Sequence, residues 1–234
     1  MPFSTVDPFD VRAVPNYTLQ EASRYLRVSS STLKSRVIGR QYPTQRGNRH
    51  FVRLVPPAQD KPTALVSVVN LVEIHVLHAI RHEHRIKLWK VRRALTFVER
   101  QLGNRHPLAT VNFETDGIDL FISHLGGLVV ASDGGQFALR EAIVDHLKRI
   151  EHDDEGLAAR LYPFTRLQHV AQPKMIVIDP RISFGRPVIA GSGVPTRVVL
   201  ERYLAGEELQ HLARDYRRSI TEIEEAIRCE SHGV

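Results

Sequence analysis

Cysteine is almost absent from this chain of 234 residues: Cys229 is the only one. That excludes a disulfide framework and a multi-cysteine zinc site, and it points to a reducing, cytoplasmic compartment. Long apolar runs are missing too. No stretch reaches the ~18–20 residues that a membrane-spanning helix needs, so no membrane association is expected. The opening Met1-Pro2-Phe3-Ser4-Thr5 lacks the charged-then-apolar grading of a signal peptide. Acids are scarce in one segment, from Val11 to Arg53, where Glu21 stands alone.

That scarcity concentrates the charge. Glu21 is opposed by nine bases, Arg12, Arg24, Arg27, Lys34, Arg36, Arg40, Arg46, Arg49 and Arg53, a local charge of +8. The first ten residues hold Asp7 and Asp10, and from Leu54 onward bases and acids balance at 23 each. The net charge of +6 therefore belongs to one N-terminal block. A basic block beside a neutral remainder suits a polyanion held by a single module. The rest of the composition, 42% apolar and 25% charged, is ordinary for a globular protein of one large or a few small domains.

Thr18-Leu19-Gln20-Glu21 has the form of a capping box, and Leu19, Ala22 and Leu26 follow at helical spacing with Tyr25 beside them. Arg27-Val28-Ser29 predicts a short turn into a second helix carrying Leu33, Val37 and Ile38. Two short helices across such a turn predict a helix-turn-helix whose second helix enters the major groove. Its outer side would offer Ser30, Ser31, Thr32, Lys34, Ser35 and Arg36, with Arg40 just beyond. The turn Gly47-Asn48, flanked by Arg46, Arg49 and Arg53 and leading into a strand Phe51–Leu54, predicts a phosphate-touching wing. Tyr17-Thr18-Leu19-Gln20-Glu21-Ala22 and Val28-Ser29-Ser30-Ser31-Thr32-Leu33 resemble the winged-helix head of MerR-type regulators over about forty residues. The long dimerisation coil of those regulators does not follow.

Three prolines in Pro56–Pro62 predict a linker. From Ser67 to Leu102 the apolar spacing predicts two amphipathic helices, broken near Arg81-His82-Glu83-His84-Arg85. His75, His78, His82 and His84 have helical spacing that could gather an ion, but no cysteine or downstream carboxylate completes a site, so no metal is expected. Trp89 reads as core or dimer interface. Thr110 to Ser132 alternates more like strands, with turns at Asp116-Gly117 and Gly126-Gly127, before a helix from about Phe137 to Ile150. No acid–base pair or other catalytic constellation stands out, and neither an enzyme nor a cofactor is expected.

Met175–Pro180 predicts a short buried strand, and the glycines around Val188-Ile189 predict a hairpin. Thr196 is placed as the cap of a helix to about Leu204; a helix from Glu208 to Tyr216 and another opened by Ser219-Ile220-Thr221-Glu222 follow. This second helix-turn-helix has four bases against six acids between Gly206 and Arg228, a charge phosphate would repel. It reads as a protein-binding module. Gly185-Arg186-Pro187-Val188-Ile189, Gly191-Ser192-Gly193-Val194-Pro195-Thr196 and Leu212-Ala213-Arg214-Asp215-Tyr216 resemble a small bacterial helix-turn-helix family of VapB-type antitoxins. Members usually read Gly-Thr-Arg where this chain has Gly191-Ser192-Gly193. Asn70-Leu71-Val72-Glu73 and His106-Pro107-Leu108-Ala109 are similar to longer members that carry a DNA-binding head.

The expected architecture is mainly α (α+β). A winged helix-turn-helix occupies 1–56, a central helical domain with a small β element 63–170, and a β-hairpin with three helices 171–234. The resemblance implies a type II antitoxin that neutralises a PIN-like ribonuclease toxin and represses the shared promoter. Arg214, Arg217 and Arg218 are its candidate toxin contacts, because a PIN site holds acids that an inserted arginine would satisfy. A stand-alone regulator with a ligand-sensing middle is the alternative. Homodimerisation is expected, because such readers usually meet two half-sites.

Overall fold

Thr18 opens the first helix as its sequence predicts. Its hydroxyl accepts from the Glu21 amide at 3.1 Å, and its own amide donates to the Glu21 carboxylate at 2.9 Å. The structure is a computed structural model describing residues 10–44, 47–82, 86–126, 133–166 and 172–231. It is mainly helical, 54% helix, and among the described residues it contains nine α-helices and four two-stranded antiparallel sheets. None of these helices is long and apolar enough to cross a membrane.

Strand β1 (Tyr17–Thr18) runs into α1 (Leu19–Leu26), and Arg27, at φ 54°, turns the chain into α2 (Ser30–Val37). Strands β2 (Arg40–Thr44) and β3 (Gly47–Phe51) pair with Arg40 opposite Phe51. The pairing stops where the predicted strand Phe51–Leu54 was to start. Its physical reason is a competing acceptor: the Leu54 and Val55 amides donate to the Arg36 carbonyl of α2 at 2.7 and 3.1 Å. Strand β4 (Leu65–Val66) returns to β1, with Tyr17 opposite Val66. Helices α3 (Val68–His82) and α4 (Leu88–Leu102) then follow as their spacing predicts.

The segment after α4 corrects the strand expectation. A 3₁₀ turn (Pro107–Ala109) and a π-helical turn (Phe113–Gly117) lead into α5 (Ile118–Gly126). Phe113, Gly117, Phe121 and Leu125 recur every fourth residue and are buried, while Glu114, Thr115 and Asp116 are exposed, which is helical periodicity. Gly117 marks no turn. A Cβ there would come 2.6 Å from the Phe113 ring, so its small size serves packing. Helix α6 (Asp133–Leu147) starts before the predicted Phe137, and an unanticipated hairpin of β5 (Ile150–His152) and β6 (Ala158–Leu161) follows it.

Strands β7 (Ile176–Val177) and β8 (Val188–Ile189) pair antiparallel, and α7 (Thr196–Leu204), α8 (Leu209–Tyr216) and α9 (Ile220–Glu230) complete the chain. Pro195, not Thr196, is the N-cap of α7. The Thr196 hydroxyl is buried and donates to Glu230 at 2.7 Å, which ties α7 to α9.

One buried cluster runs from Tyr17 to Cys229. The Tyr17 hydroxyl donates to the Gly185 carbonyl at 2.6 Å. Gly185 has φ 77°, and a Cβ there would lie 2.4 Å from that hydroxyl, so only glycine fits the joint. Backbone bonds between Leu161 and Ile178, at 3.0 and 2.8 Å, link β6 to the residue that follows β7. His75 is buried against His146 and Phe164, with Nε2 3.1 Å from the His146 carbonyl. Burial and the neighbouring His146 push its pKa well below the ordinary value, so His75 acts as a neutral packing residue. The side chain of His82 and all of His84 lie outside the described residues. Trp89 is 50% exposed, which corrects its core reading.

Candidate nucleic-acid interface

Helix α2 is positioned by its own cap and by α1. Ser29 Oγ accepts from the Thr32 amide at 3.4 Å, and Ser23 of α1 donates to the Val28 carbonyl at 2.6 Å. Leu33 and Val37 are fully buried, which turns the opposite face of the helix outward. On that face Ser30, Ser31 and Lys34 are exposed, and Thr32 and Ser35 are half-buried. Ser31, Thr32, Ser35, Arg36 and Arg40 meet Leu88 of α4 around a recess of about 220 Å³. Hydroxyl and guanidinium groups around such a recess suit phosphate oxygens.

Arg36 corrects the expectation of an exposed row, because it is 2% exposed, with its carbonyl bonded by the Leu54 and Val55 amides. Arg53 pairs with Asp60 at 2.6 Å and is spent there. Arg46 and the Arg49 side chain lie outside the described residues.

Distant partners occupy several other bases of the +8 block. Arg12 is 5% exposed and is bonded to Asp10 and Asp153. The Arg12 hydrogen bond holds the Asp10 carboxyl below the usual carboxylate range. Arg24 faces Glu230 at 3.3 Å, and Arg27 donates to the Arg228 carbonyl at 3.1 Å. Glu21, the lone acid of the block, pairs with Arg186. Burial alone would raise its pKa, but bonds from Thr18 and the Arg186 charge hold it low. Arg40 at the recess and Lys34 on the outer face of α2 carry exposed positive charge.

Block totals concealed the start of α4. Leu88 lines the recess, Lys87 and Trp89 are exposed on either side of it, and Lys90 lies 5.4 Å from the Trp89 ring. A signal existed: Arg81 to Arg93 holds Arg81, Arg85, Lys87, Lys90, Arg92 and Arg93 against Glu83 alone. Averaging from Leu54 to the end hides this second basic cluster.

Similarity to known proteins extends over most of the chain. Residues 176–228 match the family described as a protein of unknown function, DUF433. The X-ray crystal structure of Rv2018 from Mycobacterium tuberculosis is similar at a TM-score of 0.64 and 25% identity, covering 92% of this chain and 98% of that one. A protein of Mycobacterium tuberculosis (strain ATCC 25618 / H37Rv) named "Putative antitoxin VapB45" is 33% identical over 221 residues, 87% of this chain and 88% of its own length. This chain belongs to the VapB-type antitoxin family.

In this VapB-type chain the three C-terminal arginines differ in availability. Arg214 and Arg217 are exposed at the α8–α9 joint, where Arg217 adopts φ 52°. Arg218 is half-buried and donates to the Gly191 carbonyl at 2.6 Å, with Glu222 at 3.4 Å. It holds the Gly191-Ser192-Gly193 loop against α9.

Proposed function

We propose that this chain is the antitoxin of a type II pair. It binds and neutralises a PIN-like ribonuclease toxin and binds its own promoter, as a homodimer, to repress the operon. The DNA half rests on one observation: Ser31, Thr32, Ser35 and Arg40 gather at a recess beside exposed Lys34 on a capped helix-turn-helix. The toxin half rests on the similarity to the VapB45 relative, with Arg214 and Arg217 as the arginines available to an acidic nuclease site. No metal, cofactor or catalytic residue enters this reading.

Co-expression with the adjacent nuclease gene, followed by affinity purification, tests the toxin half. Recovery of both chains in one complex is expected, with the nuclease silent in the complex and active once released. Separate elution together with full nuclease activity contradicts it. The alternative, a stand-alone regulator with a ligand-sensing middle, keeps the DNA half and predicts that second result.

A further inference from the structure

Between the Leu54–Ala58 segment, α3 and α4 lies a cavity of about 380 Å³, large enough for a small organic molecule. Its polar end is built by α3, α4 and the loop after α4. Glu73 is 6% exposed; its Oε2 accepts from the Asn70 side chain at 3.4 Å and lies 3.1 Å from His106 Nδ1. Among the described residues no donor reaches Glu73 Oε1. Glu99 lines the same cavity, and burial, reinforced by the charge of Glu73, pushes its pKa up. Leu54, Val55, Leu95 and Leu108 form apolar walls.

Glu73 lines the cavity, so its second oxygen can accept from a donor bound there. Two carboxylates facing one apolar chamber favour a cationic donor and repel an anion. The cations already facing the chamber are Arg105 and His106. We propose that this cavity binds a small protonated amine with an apolar body, its ammonium between Glu73 and Glu99 and its hydrocarbon against Leu54, Val55 and Leu95. The same wall reaches α2, because the Leu54 and Val55 amides hold the Arg36 carbonyl. An occupied cavity therefore bears on the DNA-facing helix. That second step rests on the DNA half of the proposed function; the amine site does not.

The pH dependence follows from the two neighbours. The charge of Glu73 raises the His106 pKa, and protonated His106 competes with the ligand for Glu73. Binding therefore strengthens as pH rises through the His106 titration and fades as pH falls through that of Glu99. It is lost again above about pH 10, where a simple amine gives up its proton.

The full-length chain titrated calorimetrically with cyclohexylamine and benzylamine, and with cyclohexanol and benzyl alcohol as uncharged matches, tests the site. Amines are expected to bind and alcohols to fail. Glu99→Gln, on a partly exposed side chain, should fold normally by circular dichroism and weaken the amines about ten- to a hundredfold. Glu73→Gln should weaken them at least as much. Absence of amine binding, equal binding of amines and alcohols, or unchanged affinity in both variants overturns the amine site. Promoter gel shifts with and without benzylamine test the second step. A change in DNA affinity supports it, and amine binding with unchanged DNA affinity overturns it. Failure to shift promoter DNA in either condition counts against the DNA half of the proposed function and leaves the amine site standing.

Discussion

The α1–α2 and α8–α9 hairpins share a local design. Each first helix starts Leu-Gln, as Leu19-Gln20 and Leu209-Gln210, and each joint places an arginine in the left-handed region, Arg27 at φ 54° and Arg217 at φ 52°. The joint bonds match: Val28 to the Ser23 carbonyl at 3.2 Å, Arg218 to the Ala213 carbonyl at 2.9 Å. Ser29 and Ser219 then cap the second helices. What differs is the side chains. Helix α2 turns Ser31 and Lys34 to solvent, whereas α9 buries Ile223, Glu225, Ala226, Cys229 and Glu230 against its neighbours. Helix α9 also draws on the other hairpin, since Arg24 faces Glu230 and Arg27 bonds the Arg228 carbonyl. One backbone motif thus serves once as an open surface and once as an internal clamp. Backbone geometry alone does not make a helix-turn-helix a DNA reader; charge and exposure decide it.

The joint between the two halves offers the largest effect. Gly185→Ala forces a Cβ to 2.4 Å from the Tyr17 hydroxyl at a positive φ, and chemical denaturation should register a loss of about 3 kcal/mol. Corresponding positions in the two second helices sharpen the contrast. Glu225 takes bonds from Arg166 at 2.8 Å and Arg228 at 2.6 Å, and Glu225→Ala should cost about 1–3 kcal/mol, reduced because both arginines reach solvent. Ser35→Ala, at the matching place in α2, should cost less than about 0.5 kcal/mol. Equal losses would break the comparison.

Acid gives the smallest and most graded effect. Burial pushes the Glu225 carboxyl up, but Thr165, Arg166 and Arg228 hold it below its ordinary value, as Arg12 does for Asp10. Carboxyls depressed on folding contribute stability above their unfolded values and lose it as pH falls through the folded ones. Thermal melts should therefore be level near neutrality and decline below about pH 4. Glu225→Gln should flatten that decline, while Ser35→Ala leaves it unchanged.

Local chemistry was legible in the sequence. Both capping boxes, the α1–α2 turn and the α3–α4 pair follow from residues a few positions apart. Long-range contacts were not legible. Arg12, Arg24 and Arg27 count as part of a +8 block, yet their partners Asp153, Glu230 and Arg228 lie far along the chain. Arg36 looked like an outward base because nothing nearby announces its burial or that Leu54 and Val55 will bond its carbonyl. In the π-helical turn before α5, Asp116-Gly117 imitated a turn because glycine's role in packing against Phe113 has no local signature. The recess at α2 was half visible: its serines and Arg40 were expected, and its closure by Leu88 was not.

Promoter affinity measured against salt tests the central contrast most directly. For the intact chain log K should fall linearly with log salt, and Lys34→Ala with Arg40→Ala should weaken binding and flatten the slope by about 2, near one for each phosphate no longer neutralised. Arg214→Ala with Arg217→Ala, on the acidic hairpin, should leave affinity and slope as they were. A slope that flattens with the second pair and not with the first would contradict the account.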